Sequence, residues 1–231
     1  MVIAMFLAHL VGDYVLQWDE LAAWKAREMK GVIVHSLILF LVTAAFALPF
    51  KPYWWSGVLM IGVSHFIVDA LTFYFKPPIP PLLRFMLDQT IHFSFIILAL
   101  VLGGYLVWGD LAGGIVDSAR ATPVLTAILG YAFLTMPAWV LLKFVVYALM
   151  GGRPPNFPAG PNKFVGITER LIISTLVAFG LFLLVPLVAL PRLIVEWPRV
   201  TQGGRDGVYV AELIASLVLA VGVGLGISLL A

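Results

Sequence analysis

Apolar runs of about 20 residues recur along the whole chain, and a run of that length is typical of a helix that crosses a bilayer. Seven such segments can be delimited, and the first of them is the shortest. They cover residues 1–18, 31–50, 53–75, 82–108, 123–150, 169–190 and 208–230. We therefore predict an all-α, polytopic transmembrane helix bundle of about seven helices.

The composition agrees with a membrane location and excludes several functions. Hydrophobic residues make up 62% and charged residues 11%, whereas a soluble domain carries about 25% charged residues. The net charge of +2, without a basic stripe, argues against nucleic-acid binding. Because there is no cysteine, disulfides, thiolate zinc sites, iron–sulfur clusters and a cysteine nucleophile are excluded. His9 and Asp13 in the first segment argue against a cleaved signal peptide.

All four histidines precede residue 93, so the two parts of the chain differ in kind. We predict a single transmembrane domain over 1–231, with a His/Asp-bearing four-helix half at 1–108 and an apolar supporting half at 123–231. Pro186 and Pro191 are expected to break the sixth segment. Connections rich in proline, glycine or aromatic residues are expected at 51–55, at 76–81 and at 151–163, the last as a candidate mobile cover.

Lysine and arginine placement predicts the orientation. Loops 1, 3 and 5 hold eight of these residues and loops 2, 4 and 6 hold five, which puts loops 1, 3 and 5 in the cytoplasm and the N-terminus outside. Lys143, inside the fifth segment, is expected to extend its ammonium toward the loop-5 surface. Glu212 is expected at the opposite interface.

Three of the four histidines have an aspartate four residues away, on the same helix face. With 12 acids in 231 residues, three such pairs by chance have a probability well under ~1%. Two pairs have the histidine first and one has the aspartate first. In antiparallel helices this reversal puts every aspartate nearer the loop-1 and loop-3 face, and every histidine one turn deeper, at about 15 Å. The pairs are His9 with Asp13, His65 with Asp69, and His92 with Asp88.

We call these six residues, together with His35 at the depth of the aspartates, the His/Asp layer. Ionisable groups in hydrocarbon are costly and usually face a bundle interior for a functional reason. Imidazole and carboxylate without thiolate suit Zn²⁺ best, with iron or manganese as alternatives. The predicted metal ligands are His9, His35, His65, His92, Asp13 and Asp69. The predicted catalytic carboxylates are Asp13, Asp69 and Asp88, with Asp88 orienting His92.

Other interpretations of these residues stay open. Histidine–aspartate hydrogen bonds also serve as packing contacts between membrane helices, and two histidines can bind haem, although haem does not call for three acids. Glu169 and Arg170 open the sixth segment on the side of the His/Asp layer. They are either a helix end favoured by the dipole or an anchor for a lipid phosphate. Gln17 and Gln89 are candidate hydrogen-bond donors to the layer.

The segment H-L-V-G-D-Y-V-L-Q at 9–17 resembles the opening H-L-x-G-D-(F/Y)-x-L-Q of a bacterial family of integral membrane proteins with a domain-of-unknown-function label. The C-terminal part departs, since A-L-P-R at 189–192 stands where a Lys-containing stretch is expected. More loosely, the His/Asp pattern is similar to that of membrane-embedded metal-dependent hydrolases such as the alkaline ceramidase-like superfamily. The further motifs that fit the bacterial family are H-S at 35–36, S-H-F-I-V-D at 64–69, D-Q-T-I-H at 88–92 and G-I-T-E-R at 166–170.

These features favour a bacterial inner-membrane protein that uses a divalent metal to hydrolyse a lipid or another amphipathic substrate. The site would lie in the cytoplasmic half of the bilayer. The first alternative is a transporter of metal ions or protons that uses the same residues as a relay. The second is a structural or assembly subunit of a membrane complex. Membrane lipid is the expected partner, besides a complex subunit or a second copy of the chain.

Overall fold

The structure is a computed structural model that describes residues 1–50, 54–150, 162–202 and 206–230. Within these ranges every regular element is a helix, which confirms the all-α prediction. The chain divides into two compact units, Met1–Ala132 and Phe133–Ala231. Most of the two connections expected at 51–55 and 151–163 lies outside the described residues.

Unit 1 contains the complete His/Asp layer. Three of its helices, α3, α4 and α5, are each long and apolar enough to cross a membrane, so the chain is a membrane protein. The first segment is shorter, because α1 passes into a π-helical turn at Val11–Val15, where the amide of Leu16 donates to the carbonyl of Val11 at 2.8 Å. The helices are α1 Val2–Leu10, α2 Asp19–Lys25, α3 Met29–Ala47, α4 Trp55–Tyr74, α5 Pro81–Leu102, α6 Leu111–Ala121 and α7 Pro123–Leu134.

An apolar core fills unit 1 on the side of the histidines away from α2. Each of α1, α3, α4 and α5 contributes to it with the turns that follow or precede its histidine. Thr43 is a buried polar residue on this stretch of α3, and its hydroxyl donates to the carbonyl of Leu39 in its own helix. Buried members include Met5, Leu39, Val58, Ile61, Ile96 and Leu100.

The short helix α2 packs closely against the start of α3. Gly31 makes this approach, since a Cβ at that position would lie 2.5 Å from the backbone nitrogen of Lys25. Leu21 is the buried apolar residue of α2. The absence of a side chain at Gly31 therefore allows the C-terminal end of α2, which carries Lys25, to lie against the bundle.

Unit 2 holds α8 Met136–Met150, α9 Asn162–Ala178, α10 Val185–Gln202 and α11 Asp206–Leu230. Of its described helices, α11 alone is a full-length span by itself, and α8 forms a candidate span together with α7, broken at Thr135. The expectation that Pro186 and Pro191 break the sixth segment is wrong. The helix ends before Gly180, whose φ of +73° suits glycine.

Neither proline of α10 interrupts this helix. Pro186 lies in the first turn of this helix, where the missing N–H would have had no helical partner. Pro191 lies further inside, and α10 continues through it to Gln202. The change of direction between α9 and α10 therefore comes from Gly180 and not from either proline.

Ion pairs fix the directions of the helices in unit 2. Glu169 near the start of α9 accepts a hydrogen bond from Arg192 of α10 at 2.9 Å, while the start of α10 packs against the end of α9. These two helices are thus antiparallel. Arg170 of α9 contacts Ser216 of α11, and Gly224 of α11 lies against the later part of α9, so these two are parallel.

This arrangement corrects the expectation for Glu212. The ammonium of Lys143 in α8 donates to Glu212 of α11 at 2.8 Å. Glu212 therefore lies at the same end of unit 2 as the loop-5 side of α8, and not at the opposite interface. A paired lysine and glutamate replace two separately solvated charges, which is the usual outcome for ionisable groups within a bundle.

Candidate metal centre

The four imidazoles come from four different helices of unit 1 and meet in its interior. All are buried, with at most 3% of their surface exposed. The ring centroids of His65 and His92 are 4.2 Å apart, and those of His35 and His65 are 5.2 Å apart. His9 lies 5.4 Å from His92 and 5.7 Å from His65. The structure thus brings together all the histidines that the sequence analysis singled out.

The tightest part of the cluster has the dimensions of a metal site. The Nε2 atom of His35 lies 3.2 Å from Nε2 of His65, 3.5 Å from Oδ2 of Asp69 and 3.1 Å from Oδ1 of Asp13. His65 Nε2 and Asp69 Oδ2 are also 3.2 Å apart. Ligands about 2.0–2.1 Å from a tetrahedral ion are separated from one another by about 3.3–3.4 Å. These atoms are therefore spaced as ligands of one ion.

Two overlapping groups offer ligand atoms that lie within 4.8 Å of one another. One consists of Asp13, His35 and His65, and the other of His65, Asp69 and His92. Because both groups use His65, a single ion can engage either group fully, whereas two ions would compete for the same imidazole. The arrangement favours one ion per chain.

His92 carries the clearest sign of a missing partner. Its Nδ1 lies 2.9 Å from the backbone carbonyl of Asp88, which assigns the proton to Nδ1 and leaves Nε2 as an acceptor. That Nε2 is buried without a hydrogen-bond partner and lies 3.9 Å from Oδ1 of Asp69. An unpartnered imidazole nitrogen aimed at a carboxylate fits a cation between them.

Asp88 makes its close contact to the His92 ring through its backbone carbonyl and not through its carboxylate. The carboxylate of Asp88 lies 3.7 Å from His92 Nδ1 and is 24% exposed. It accepts a hydrogen bond from the amide of Gln89 at 3.1 Å. Asp88 is thus the most accessible of the three aspartates and lies outside both groups of ligand atoms.

His9 lies beside these groups. Its Nε2 is 3.4 Å from the amide oxygen of Gln89 and 3.9 Å from Oδ2 of Asp13. The amide nitrogen of Gln89 donates to that same oxygen of Asp13 at 3.2 Å. Gln89 thus links His9 to Asp13, and direct metal binding by His9 stays a prediction. Asp13 itself lies in the π-helical turn, a local geometry that is frequent at functional sites.

Lys25 is the part of the site that the sequence analysis missed. Its ammonium lies 2.8 Å from Oδ2 of Asp69 and 3.9 Å from Oδ1 of Asp13. Burial alone would lower the pKa of Lys25, but the two carboxylates more than compensate and raise it. Lys25 therefore carries a positive charge. No spacing rule indicated this contact, because it depends on the close approach of α2 at Gly31.

The charges of the cluster do not balance by themselves. In the described part of the chain, Lys25 is the one lysine or arginine with its charge within 4 Å of Asp13, Asp69 or Asp88. Three carboxylates against one ammonium leave two negative charges in a largely buried site. One divalent cation would neutralise them, which agrees with the ligand spacing.

A cavity of about 290 Å³ connects the surface of unit 1 to this cluster. Its wall includes Asp69, which contacts His35 and His65, and Lys25, which contacts Asp69. The other lining residues are Gln17, Ala22, Ala26, Val32, Thr72, Phe73 and Lys76.

Glu169 and Arg170 lie in unit 2, where both side chains form hydrogen bonds with other residues of the protein. The carboxylate of Glu169 accepts from Arg192, and the guanidinium of Arg170 is buried. An anchoring role toward a lipid phosphate stays a prediction. Arg170 donates to the carbonyls of Leu134 and Thr135 and contacts the hydroxyl of Ser216.

Comparison with known proteins gives one match. Residues 1–107 match the model of a family described as "Protein of unknown function (DUF3307)". This range covers the whole His/Asp layer and ends before α6. The search of curated proteins and the search of solved structures found no match. The likeness to alkaline ceramidase-like hydrolases therefore stays a prediction.

Proposed function

We propose that the protein is a metal-dependent membrane hydrolase that acts on a lipid or another amphipathic substrate at the His/Asp layer of unit 1. The observation that carries the proposal is the convergence of His35, His65, Asp69 and Asp13 at ligand-to-ligand distances, beside a cavity open to the surface. We further propose the bacterial inner membrane, with the cavity toward the cytoplasm.

The cavity and the apolar core lie on different sides of the cluster in the described part of unit 1. The cavity approaches it from α2 and the end of α4, whereas the apolar core lies behind the histidines. A transporter needs polar groups that continue to the opposite face. The one-sided arrangement favours an enzyme over the transporter alternative.

In the proposed reaction, His65, Asp69 and His92 would hold the ion, and Asp13 would accept the proton of the attacking water. A divalent cation such as Zn²⁺ would, when bound, lower the pKa of water and polarise the bond to be cleaved. The water oxygen forms the new bond to the ester centre. The ester oxygen leaves with the electron pair and takes the proton from Asp13, so the carboxylate is regenerated. Gln89 orients Asp13 through its 3.2 Å hydrogen bond.

The experiment that tests the site is elemental analysis of the full chain, purified without chelators. We expect close to one transition-metal ion per chain, and we expect most of it to be lost in His65→Ala, because His65 belongs to both groups of ligand atoms. Thr43→Val is the matched control, since Thr43 is buried and bonded only within its own helix. This variant should retain the metal.

Two results would contradict the proposal. Metal-free wild-type protein, with equal thermal stability in His65→Ala, would refute the metal site. Wild-type protein that releases no product from membrane lipids, yet moves metal ions or protons into sealed vesicles, would favour the transporter.

A further inference from the structure

The cavity beside the cluster carries more positive charge than its acidic wall neutralises. Lys25 and Lys76 both line it, against the single carboxylate of Asp69. Lys25 is already engaged with Asp69 at 2.8 Å. Lys76 is exposed, and no carboxylate of the described residues lies within 4 Å of its ammonium. A divalent cation bound by the histidines would neutralise the cluster, so the charge of Lys76 would remain without a counter-charge in the cavity wall.

Apart from the carboxylate of Asp69, the polar residues that line the cavity can supply hydrogen-bond donors. Lys76 offers three N–H donors, and Gln17 adds an amide group. The hydroxyl of Thr72 is directed to the carbonyl of Asp69 at 3.0 Å, so its proton is already used. Two ammonium groups and an amide offer more donors than a single carboxylate uses, whereas a phosphate presents three terminal oxygens.

The rest of the wall is apolar. Val32, Phe73, Ala22 and Ala26 line the same cavity, and Phe73 belongs to the last turn of the spanning helix α4. A ligand in this cavity would contact both apolar side chains and charged groups. This is the arrangement that a lipid with an anionic headgroup requires.

We propose that this cavity binds the phosphate monoester group of the substrate, with Lys76 as its principal charged contact and Lys25 beside it. The inference rests on the proposed function, because it assigns a substrate class to the same site. A phosphate on a lipid and a phosphate on a soluble ester share this chemistry. The cavity's place at the end of α4 favours the lipid.

The test measures binding and does not depend on turnover. The full-length chain in detergent is offered equal amounts of phosphatidic acid and phosphatidylcholine with the same acyl chains, and bound lipid is counted by native mass spectrometry. We expect a preference for phosphatidic acid that Lys76→Gln reduces about fivefold to tenfold, the loss expected for one charge-assisted contact. Lys76→Arg should preserve it.

Lys30→Gln is the matched control, because Lys30 is also exposed in unit 1 but does not line the cavity. A second arm adds inorganic phosphate as the competitor. Binding of inorganic phosphate that depends on Lys76, without a lipid preference, supports the phosphate site and assigns it to a soluble ester. Equal binding of both lipids together with no Lys76-dependent phosphate binding overturns the inference, as does an equal effect of Lys30→Gln.

Failure here is distinguishable from failure of the proposed function. Protein that contains the metal and hydrolyses a zwitterionic lipid, without any preference for phosphate, retains the proposed function and overturns this inference. Protein without metal that still loses its phosphatidic acid preference in Lys76→Gln supports the binding site and contradicts the hydrolase.

Discussion

The three aspartates of the layer share a helix-face pattern in the sequence but have different surroundings. Asp69 is held by Lys25 at 2.8 Å and lies 3.2 Å from His65. Asp13 lies 3.1 Å from His35 and accepts from Gln89. Asp88 is partly exposed and makes no close contact to an imidazole through its carboxylate. Their contributions should therefore separate when each is changed to asparagine.

We expect Asp69→Asn to weaken metal binding by at least about tenfold, because a charged ligand is lost. Asp13→Asn should retain most of the metal and lose about 100-fold or more in turnover, since asparagine cannot accept a proton. Metal content and product release from a panel of membrane lipids, measured on the same preparations, check both expectations.

Asp88→Asn serves as the third member of this series. Its effect on metal content should be the smallest of the three, since the carbonyl that contacts His92 belongs to the backbone and survives the change. Equal losses of metal in all three variants would contradict the separate roles. The result would point to overall charge as the property that matters.

At the scale of elements, α2 determines whether the layer has a counter-charge. This helix of seven residues lies outside the candidate spans and delivers Lys25 to Asp69 through one close approach at Gly31. The position of Lys25 thus depends on the contact between α2 and α3 rather than on the sequence around the lysine itself.

We expect Gly31→Ala to displace the end of α2, since the added methyl group would meet backbone atoms of Trp24 and Lys25 at 2.5 Å. Overpacking of this kind costs about 1–3 kcal/mol. The thermal unfolding midpoint in detergent should fall, and so should metal retention. Gly222→Ala in α11 is the matched control, because no atom lies within 4 Å of the added methyl group. An equal midpoint in both variants would refute the role given to Gly31.

At the scale of the whole molecule, the chain consists of a unit that carries the candidate chemistry and a unit with its own ion pairs. The family match ends at residue 107 and thus lies within the first of these, which runs to Ala132. In the second unit, α9 and α10 form an antiparallel pair whose turn lies at Gly180. The beginning of α9 and the beginning of α11 therefore lie at the same end of that unit.

Single-cysteine labelling tests this arrangement cleanly, because the natural chain has no cysteine. Phe164→Cys at the start of α9 and Gly207→Cys at the start of α11 should react with a membrane-impermeant maleimide from the same side. Leu183→Cys, which is 92% exposed near the turn, should not share that pattern. Labelling of Phe164→Cys and Gly207→Cys from opposite sides would restore the alternating topology expected from the hydropathy.

The sequence predicted those features that depend on local periodicity. The long segments 2, 3, 4 and 7 correspond to α3, α4, α5 and α11, and the four-residue spacing placed aspartates and histidines on common faces. Features that depend on tertiary contact were missed. Lys25 resembled an ordinary loop charge, and the pairing of Lys143 with Glu212 required the helix directions of unit 2.

The apolar core behind the histidines affects the free-energy barrier to moving a charge across the membrane. A charge that moves through hydrocarbon without polar partners meets a barrier of several kcal/mol, and the membrane potential supplies only about 2.3 kcal/mol per charge at 100 mV. The buried side chains of Met5, Leu39, Ile61 and Ile96 therefore insulate the cluster from the far compartment. Under the proposed function, acids and imidazoles can thus lie at membrane depth without providing a path for charge across the bilayer.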